Sequence, residues 1–146
     1  MKILLINGPN LNALGRRDPS QYGTKTLSDI EGLVKKRAGE LEVEVECYQS
    51  NSEGALIDYL QQHSPGANGI VINPGALTHY GLSLRDALED TRLPIIEVHL
   101  SNIYSREEFR RHSVISPITR GQVTGLGWRG YLIALETLQQ IIKEQV

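Results

Sequence analysis

Five short apolar runs alternate along the chain with longer segments of helical periodicity. The runs predict strands at Ile3–Asn7, Val43–Gln49, Gly69–Asn73, Pro94–Leu100 and Gln122–Leu126. The first and third runs are continuously apolar, which is typical of parallel strands that are covered on both faces. The second run alternates apolar and charged residues, and this pattern predicts a strand at the edge of the sheet.

The segments between the strands repeat apolar residues at i, i+3 and i+4, which predicts helices with one buried face. The predicted helices are Thr26–Leu41, Glu53–His63, Gly81–Asp90 and Gly130–Glu144, with a short extra helix at Ser105–Arg111. Two capping-box patterns, Thr26 with Asp29 and Ser28 with Glu31, lie near the start of the first helix.

Strands that alternate with helices predict right-handed βαβ units and a parallel sheet, in one α/β domain over residues 1–146. Five strands favour the flavodoxin-like doubly wound order 2-1-3-4-5. In such sheets ligands bind at the carboxyl ends of the strands, where the winding reverses, and here that point lies between strands one and three. Polar residues at these strand ends are therefore the first candidates for a site.

The connection between the first strand and the first helix is unusually long. It has about 18 residues, whereas a strand-to-helix turn usually takes roughly 2–6, and long connections are often lids or binding loops. It carries Arg16, Arg17 and Tyr22, with Gly15 and Gly23 near its ends as candidate hinges.

A tyrosine close to an arginine is a candidate general base. A free phenol ionises near pH 10, so a base that works near neutral pH needs about 2.7 kcal/mol of extra stabilisation of its anion. One guanidinium at about 4 Å supplies roughly 4 kcal/mol at an effective dielectric near 20. The alternative for Tyr22 is a packed ring with a solvated hydroxyl group.

Two ionisable residues, Glu97 and His99, alternate in phase near the end of the fourth strand, so both are predicted to point to one face of the sheet. A carboxylate beside an imidazole stabilises its protonated form and can fix its tautomer, which makes His99 a candidate proton donor. The alternative is a core histidine that is satisfied by the glutamate.

Further polar residues near the strand ends could bind a ligand. Arg106 and Arg110 have i, i+4 spacing on the short predicted helix and suit an anionic ligand, although an exposed charged helix is the alternative. Asn10 and Asn73 can each donate and accept hydrogen bonds to a hydroxyl, a carbonyl or a water. Asparagine is also common in such turns for backbone reasons.

Composition argues against several other classes of protein. The formal net charge of −2 is unlike that of a general nucleic-acid binder, and the single Cys47 excludes an intramolecular disulfide framework. The chain shows no apolar run near 18 residues and no signal-peptide pattern, so we expect a cytoplasmic protein.

Neither a metal nor a nucleotide cofactor is predicted. His63, His79, His99 and His112 lack the paired spacing of metal ligands. The sequence Gly125-Leu126-Gly127-Trp128-Arg129-Gly130 matches GxGxxG but lies in the last βα unit, so it is interpreted as a packing and turn motif.

A collinear set of motifs covers essentially the whole chain. The segments are Ile6-Asn7-Gly8-Pro9-Asn10-Leu11, Gly15-Arg16-Arg17-Asp18-Pro19, Tyr22-Gly23, Gln49-Ser50-Asn51-Ser52-Glu53, Leu77-Thr78-His79, Ile96-Glu97-Val98-His99-Leu100-Ser101-Asn102, Phe109-Arg110-Arg111-His112-Ser113, Gly125-Leu126-Gly127 and Gly130-Tyr131. Together they resemble the type II dehydroquinases, the 3-dehydroquinate dehydratases of flavodoxin-like fold. Trp128 and the segment Asn73-Pro74-Gly75 are mild departures from the family pattern.

The resemblance implies elimination of water from 3-dehydroquinate to give 3-dehydroshikimate through an enolate, in aromatic biosynthesis or quinate breakdown, with no cofactor. It implies that the Tyr22 phenolate is the base, that Arg17 favours this anion, and that His99, beside Glu97, protonates the departing hydroxyl. Asn10, through a water, would stabilise the enolate oxygen.

The resemblance also implies how the substrate is held and how the protein assembles. The residues implied in holding the hydroxyls and the carboxylate of the ring are Asn73, His79, Leu100, Ser101 and Arg110. Arg106 is predicted to help through its charge. Asp86 would approach from a neighbouring subunit of a homo-dodecamer built from trimers.

A non-catalytic flavodoxin-like module, such as a flavin carrier or a phosphoacceptor receiver, is the alternative function. A receiver needs an acidic cluster after strand one and an aspartate at the end of strand three, where this chain has Asn10 and Asn73. A flavin carrier needs a Ser/Thr/Gly-rich phosphate loop after strand one, and the segment Pro9-Asn10-Leu11 is a poor match.

Overall fold

Five parallel strands form one sheet in the computed structural model, which describes residues 1–145. The strands are β1 (Lys2–Asn7), β2 (Glu44–Gln49), β3 (Gly69–Asn73), β4 (Ile95–His99) and β5 (Gly121–Thr124). Their order is β2-β1-β3-β4-β5, and each neighbouring pair is parallel. The predicted doubly wound order and the edge position of the second strand are confirmed.

Helices cover both faces of this sheet. The helices are α1 (Pro19–Tyr22), α2 (Leu27–Glu40), α3 (Glu53–His63), α4 (Leu82–Asp90) and α5 (Arg129–Glu144). Successive side chains of a strand point to opposite faces, so β1 supplies Ile3 and Leu5 to the core beneath α2 and α5, and Leu4 and Ile6 to the core beneath α3 and α4.

The boundaries of the four long helices and of the strands agree with the sequence-based predictions to within about two residues, which is the usual uncertainty of element ends. At the start of α2 the capping box is Thr26 with Asp29: the Thr26 side chain accepts from the Asp29 N–H, and the Asp29 carboxylate accepts from the Thr26 N–H. Ser28 lies inside the helix, so the second pattern is not used. Within residues 1–145, none of the helices combines the length and apolarity needed to cross a membrane.

The long connection after β1 is more regular than the sequence suggested. It contains a 3-10 turn at Leu11–Ala13 and the short helix α1. Asp18 caps α1 by accepting from the Ser20 N–H at 3.0 Å, Pro19 occupies the first helical position, and Gly23 follows the helix at φ +74°. Tyr22 is therefore presented by a capped helical turn.

The predicted helix at Ser105–Arg111 is wrong. The chain forms two 3-10 turns, Ile103–Ser105 and Glu108–Arg111, and Arg106 between them is extended, at φ −107° and ψ −155°. The side chain of Asn102 caps the first turn by accepting from the Tyr104 N–H, and the extended backbone of Arg106 separates this turn from the second. The i, i+4 argument for the two arginines therefore fails, because Arg106 is not helical.

The carboxyl ends of β1 and β3 are joined by close contact between their backbones. The Gly8 N–H donates to the Asn73 carbonyl at 2.8 Å. A Cβ on Gly8 would lie 2.4 Å from the Pro74 oxygen, and one on Gly75, which has φ +61°, would lie 2.9 Å from the Pro9 oxygen. Only glycine fits both turns, and Pro9 and Gly75 from these turns line the cleft described next.

Candidate active site

A cleft of about 130 Å³ opens at the carboxyl ends of β1, β3 and β4, at the predicted reversal of the winding. Ten of the predicted site residues line it: Asn10, Arg17, Tyr22, Asn73, His79, His99, Leu100, Ser101, Arg106 and Arg110. Glu97 lies behind the cleft wall, and Asp86 is exposed on α4 away from it. Residues from five separate segments of the chain are thus brought together.

A tyrosine and an arginine from the long connection form one side of the cleft. Arg17 Nη2 donates to Tyr22 Oη at 2.9 Å, and Arg17 Cζ lies 3.8 Å from the centre of the Tyr22 ring. The guanidinium therefore contacts both the ring and the hydroxyl oxygen. Arg106 adds a second cation, with its Cζ 5.2 Å from the same ring. A phenolate at this position would be stabilised by both charges.

A second side of the cleft carries His99, with Glu97 buried behind it. His99 Nε2 is hydrogen-bonded to Glu97 Oε2, and both side chains are buried. An ionised carboxylate can only accept, so Nε2 carries the shared proton and Nδ1 is left to take up or release another. The predicted pairing of these residues on one face of β4 is confirmed.

Four further donors surround the Glu97 carboxylate. Thr78 Oγ1 donates to Oε2 at 2.6 Å, Ser113 and Ser116 donate to Oε1 at 3.0 and 2.8 Å, and Gln122 Nε2 donates to Oε2 at 2.9 Å. Burial alone would raise the pKa of Glu97, but the hydrogen bonds and the charge of His99, with the bonds from Thr78 and Gln122, hold this pKa below its usual value.

Sequence reasoning missed these four donors. The sequence showed that a glutamate in an apolar strand needs buried hydrogen-bond partners, but it did not show which residues these are. Thr78, Ser113 and Ser116 lie outside the strands, and hydroxyl residues in loops are too common to single out from sequence.

The third side of the cleft carries positive charge and hydrogen-bond donors. His79 Nδ1 donates to the His112 carbonyl at 2.7 Å, which leaves Nε2 for a ligand. Arg106 Nη1 donates to Ser101 Oγ at 3.1 Å. Arg110 is half-buried and forms an ion pair with Glu107, so its charge is partly neutralised.

The two predicted asparagines occupy different environments. Asn10 is exposed at φ +71°, a left-handed conformation that asparagine tolerates, and its N–H donates to Asn51 Oδ1 at 2.9 Å. Asn73 is buried, and its Oδ1 accepts from the Gly75 N–H at 3.1 Å. The Asn10 side chain is therefore free to bind, whereas that of Asn73 is held by the fold.

The cleft brings together the groups needed to take a proton from a bound anion and to deliver another. Tyr22 with Arg17 is the candidate base, His99 with Glu97 is the candidate acid, and the arginines suit a carboxylate. Within residues 1–145, no three His, Cys, Asp or Glu side chains are clustered as metal ligands would be.

The amino-acid sequence matches the family model for dehydroquinase class II over residues 1–139. It is similar to the 3-dehydroquinate dehydratase of Roseiflexus castenholzii, with 61% identity over 94% of this chain and 88% of that protein. It is also similar to the 3-dehydroquinate dehydratase of Halothermothrix orenii, with 53% identity over 98% of this chain and 97% of that protein.

Solved structures give the same result. The type II dehydroquinase from Butyrivibrio crossotus superposes with a TM-score of 0.92 at 48% identity, over 94% of this chain and 97% of that chain. The type II dehydroquinase from Propionibacterium acnes superposes with a TM-score of 0.91 at 44% identity, over 95% of this chain and 96% of that chain.

The buried carboxylate leads to a prediction about acid stability. Glu97→Gln is expected to lower the free energy of unfolding at pH 7 by about 1–3 kcal/mol, because an amide cannot accept from all the donors around it. Since the folded-state pKa is depressed, the contribution of the carboxylate is complete above about pH 4.5 and shrinks as the pH falls below it. Urea unfolding of both proteins between pH 7 and pH 3 should show the difference narrowing.

The exposed Glu108→Gln serves as the matched control and should unfold like the wild type at every pH. A Glu97→Gln difference that stays constant across this range would show that the charge of Glu97 does not stabilise the fold.

Proposed function

The chain belongs to the class II dehydroquinase family and has 3-dehydroquinate dehydratase activity, a hydro-lyase reaction, and from this we propose which of its residues carry out each step. The substrate, 3-dehydroquinate, is a cyclic hydroxy-ketone that carries a carboxylate. The proposal is supported above all by one observation: the Tyr22–Arg17 contact and the Glu97–His99 pair belong to the same cleft.

Tyr22, as phenolate, removes the proton on the carbon next to the ketone. The electron pair of the broken C–H bond moves to the ketone oxygen, which gives an enolate. Arg17 stabilises the phenolate, since its Nη2 lies 2.9 Å from the hydroxyl oxygen. Asn10 reaches the enolate oxygen through a water, and its exposed side chain at the cleft edge suits this role.

His99 completes the elimination. When the ketone is regenerated, the enolate electron pair forms the ring double bond and the C–O bond to the hydroxyl group breaks. Protonated His99 gives its Nδ1 proton to this oxygen, which leaves as water, and Glu97 stabilises the imidazolium through Nε2. The sum of these steps is loss of one water without any change in oxidation state.

The remaining cleft residues bind the substrate. The carboxylate is held by the cationic side of the cleft, through Arg106, Arg110 and the backbone and hydroxyl at Leu100 and Ser101. Asn73 and His79 hold the ring hydroxyls, since both line the cleft and both keep hydrogen-bonding capacity. His79 has Nε2 left over, and Asn73 keeps one N–H of Nδ2 and one lone pair of Oδ1 beyond its two internal hydrogen bonds.

A neighbouring subunit completes the site in a dodecamer of trimers. Asp86 is exposed on α4, and beside this helix the large apolar side chains of Tyr80 and Leu82 are 64% and 60% exposed, as expected for a surface covered by another copy. In analytical ultracentrifugation the protein should sediment as a dodecamer, and Leu82→Glu should yield smaller species with lower activity. A fully active monomer would contradict this part of the proposal.

The assignment of the base is tested by Tyr22→Phe. Removing the hydroxyl is expected to reduce kcat by more than about tenfold while the substrate still binds, because the change deletes a group needed only in the transition state. Tyr48→Phe, which removes a hydroxyl remote from the cleft, should have wild-type kinetics. Turnover is followed by the absorbance of the enone product. A Tyr22→Phe variant that keeps more than about a tenth of wild-type kcat would show that another group is the base.

The adjacent residues Arg16 and Arg17 allow the role of the cation beside Tyr22 to be tested with a matched control. A general base must be deprotonated to act, so kcat/KM rises with pH on the acidic limb of the profile, which reports the base. Loss of the cation that stabilises the anion should move this limb to higher pH. Arg17→Ala is expected to shift the limb, whereas Arg16→Ala should not, because Arg16 is exposed and does not line the cleft. Profiles of kcat/KM against pH that coincide for all three proteins would remove Arg17 from this role.

A further inference from the structure

A fully buried tyrosine on α5 contacts a residue that lines the cleft but does not line the cleft itself. Tyr131 has none of its surface exposed, and its ring belongs to the core between α5 and the sheet. Its hydroxyl group lies at the carboxyl ends of β1 and β3, where Asn7 and Asn73 are opposite each other in the parallel register. Packing alone does not require a hydroxyl group here, since phenylalanine has the same ring.

The hydrogen bonds of this hydroxyl have a defined direction. Tyr131 Oη donates its only proton to Asn7 Oδ1 at 2.6 Å, so it must accept from Asn73 Nδ2 at 2.9 Å. Burial raises the pKa of Tyr131, with an opposing effect from the Asn73 hydrogen bond, and the hydroxyl therefore stays protonated as a donor.

These contacts determine which way the Asn73 amide faces. Its nitrogen must point to Tyr131, and its oxygen must point to the Gly75 N–H, which it accepts at 3.1 Å. If the Asn73 amide were rotated by 180°, its Nδ2 would face the Gly75 N–H, which is also a donor. Its Oδ1 would then face the Tyr131 hydroxyl, whose only proton is already donated to Asn7. One N–H of Nδ2 and one lone pair of Oδ1 are left, in a fixed orientation, for a ligand in the cleft.

We propose that Tyr131 is a positioning residue for substrate binding, which acts by locking the orientation of the Asn73 side chain. The inference rests on the proposed role of Asn73 in holding a ring hydroxyl, and it adds a residue that does not contact the substrate. Asn7 belongs to the same arrangement, because its Oδ1 accepts the proton of the Tyr131 hydroxyl. Within residues 1–145 its buried Nδ2 has no hydrogen-bond partner.

Tyr131→Phe keeps the ring and removes only the oxygen. We expect KM to rise and kcat/KM to fall by about five- to thirty-fold, as for the loss of one or two buried hydrogen bonds. The change in kcat should be smaller, and the limbs of the pH profile should stay in place, because neither Tyr22 nor His99 is altered. Tyr59→Phe is the matched control: it also removes a buried tyrosine hydroxyl, but one that donates to Glu46 and lies away from the cleft, so its kcat/KM should equal that of the wild type.

A double-mutant cycle with Asn73→Ala separates positioning from a general loss of stability. If Tyr131 acts through Asn73, adding Tyr131→Phe to Asn73→Ala should change kcat/KM by less than about twofold. Asn7→Ala, which removes the acceptor that orients the hydroxyl, should also raise KM and should also lose its effect in the Asn73→Ala background. It provides the same cycle if Tyr131→Phe does not fold.

Equal losses of kcat/KM in both backgrounds would overturn the inference and leave the proposed function intact. An Asn73→Ala protein with wild-type kcat/KM would instead remove Asn73 from the substrate-binding residues, and the inference would fall with it. A shifted pH profile with an unchanged KM would also overturn it, because it would show that Tyr131 acts on the proton-transfer groups.

Discussion

The burial of one negative charge organises the active-site edge of the sheet. A carboxylate that is removed from water must be paired and fully hydrogen-bonded, and Glu97 meets this condition by collecting donors from the turn after β3, from the loop at Ser113 and Ser116, from β5 and from His99. These segments are far apart in sequence, so the charge that orients the histidine also ties them together.

The two groups that we propose for proton transfer are supported in very different ways. His99 is held by a buried network on a central strand, and that network leaves it little freedom. Tyr22 is carried by a four-residue helix between two glycines with positive φ, and its main polar contact is an arginine on the same segment. The proposed base and the cation nearest its hydroxyl therefore belong to one segment, whereas the proposed acid is held by the sheet.

The sequence predicted the sheet order and brought most of the residues that line the cleft to one edge, because both follow from periodic patterns and from topology. The alternation of apolar runs identified the strands, and the rule for strand ends brought Asn10, Asn73 and His99 to one edge. It was wrong at Ser105–Arg111, where the chain forms two 3-10 turns separated by the extended Arg106. It did not find Thr78, Gln122 or Tyr131, since a donor that meets its partner only through tertiary packing leaves no periodic signal.

Two glycine turns meet beside the cleft, and Gly75 of one and Pro9 of the other line it. Gly8 and Gly75 bring two turns into direct contact, and any side chain at either position would collide with a carbonyl oxygen of the opposite turn. Neither glycine can be exchanged without moving the backbone of the opposite turn. A change of ligand selectivity that keeps this backbone must therefore come from the other residues that line the cleft, such as those of the loop carrying Arg106 and Arg110.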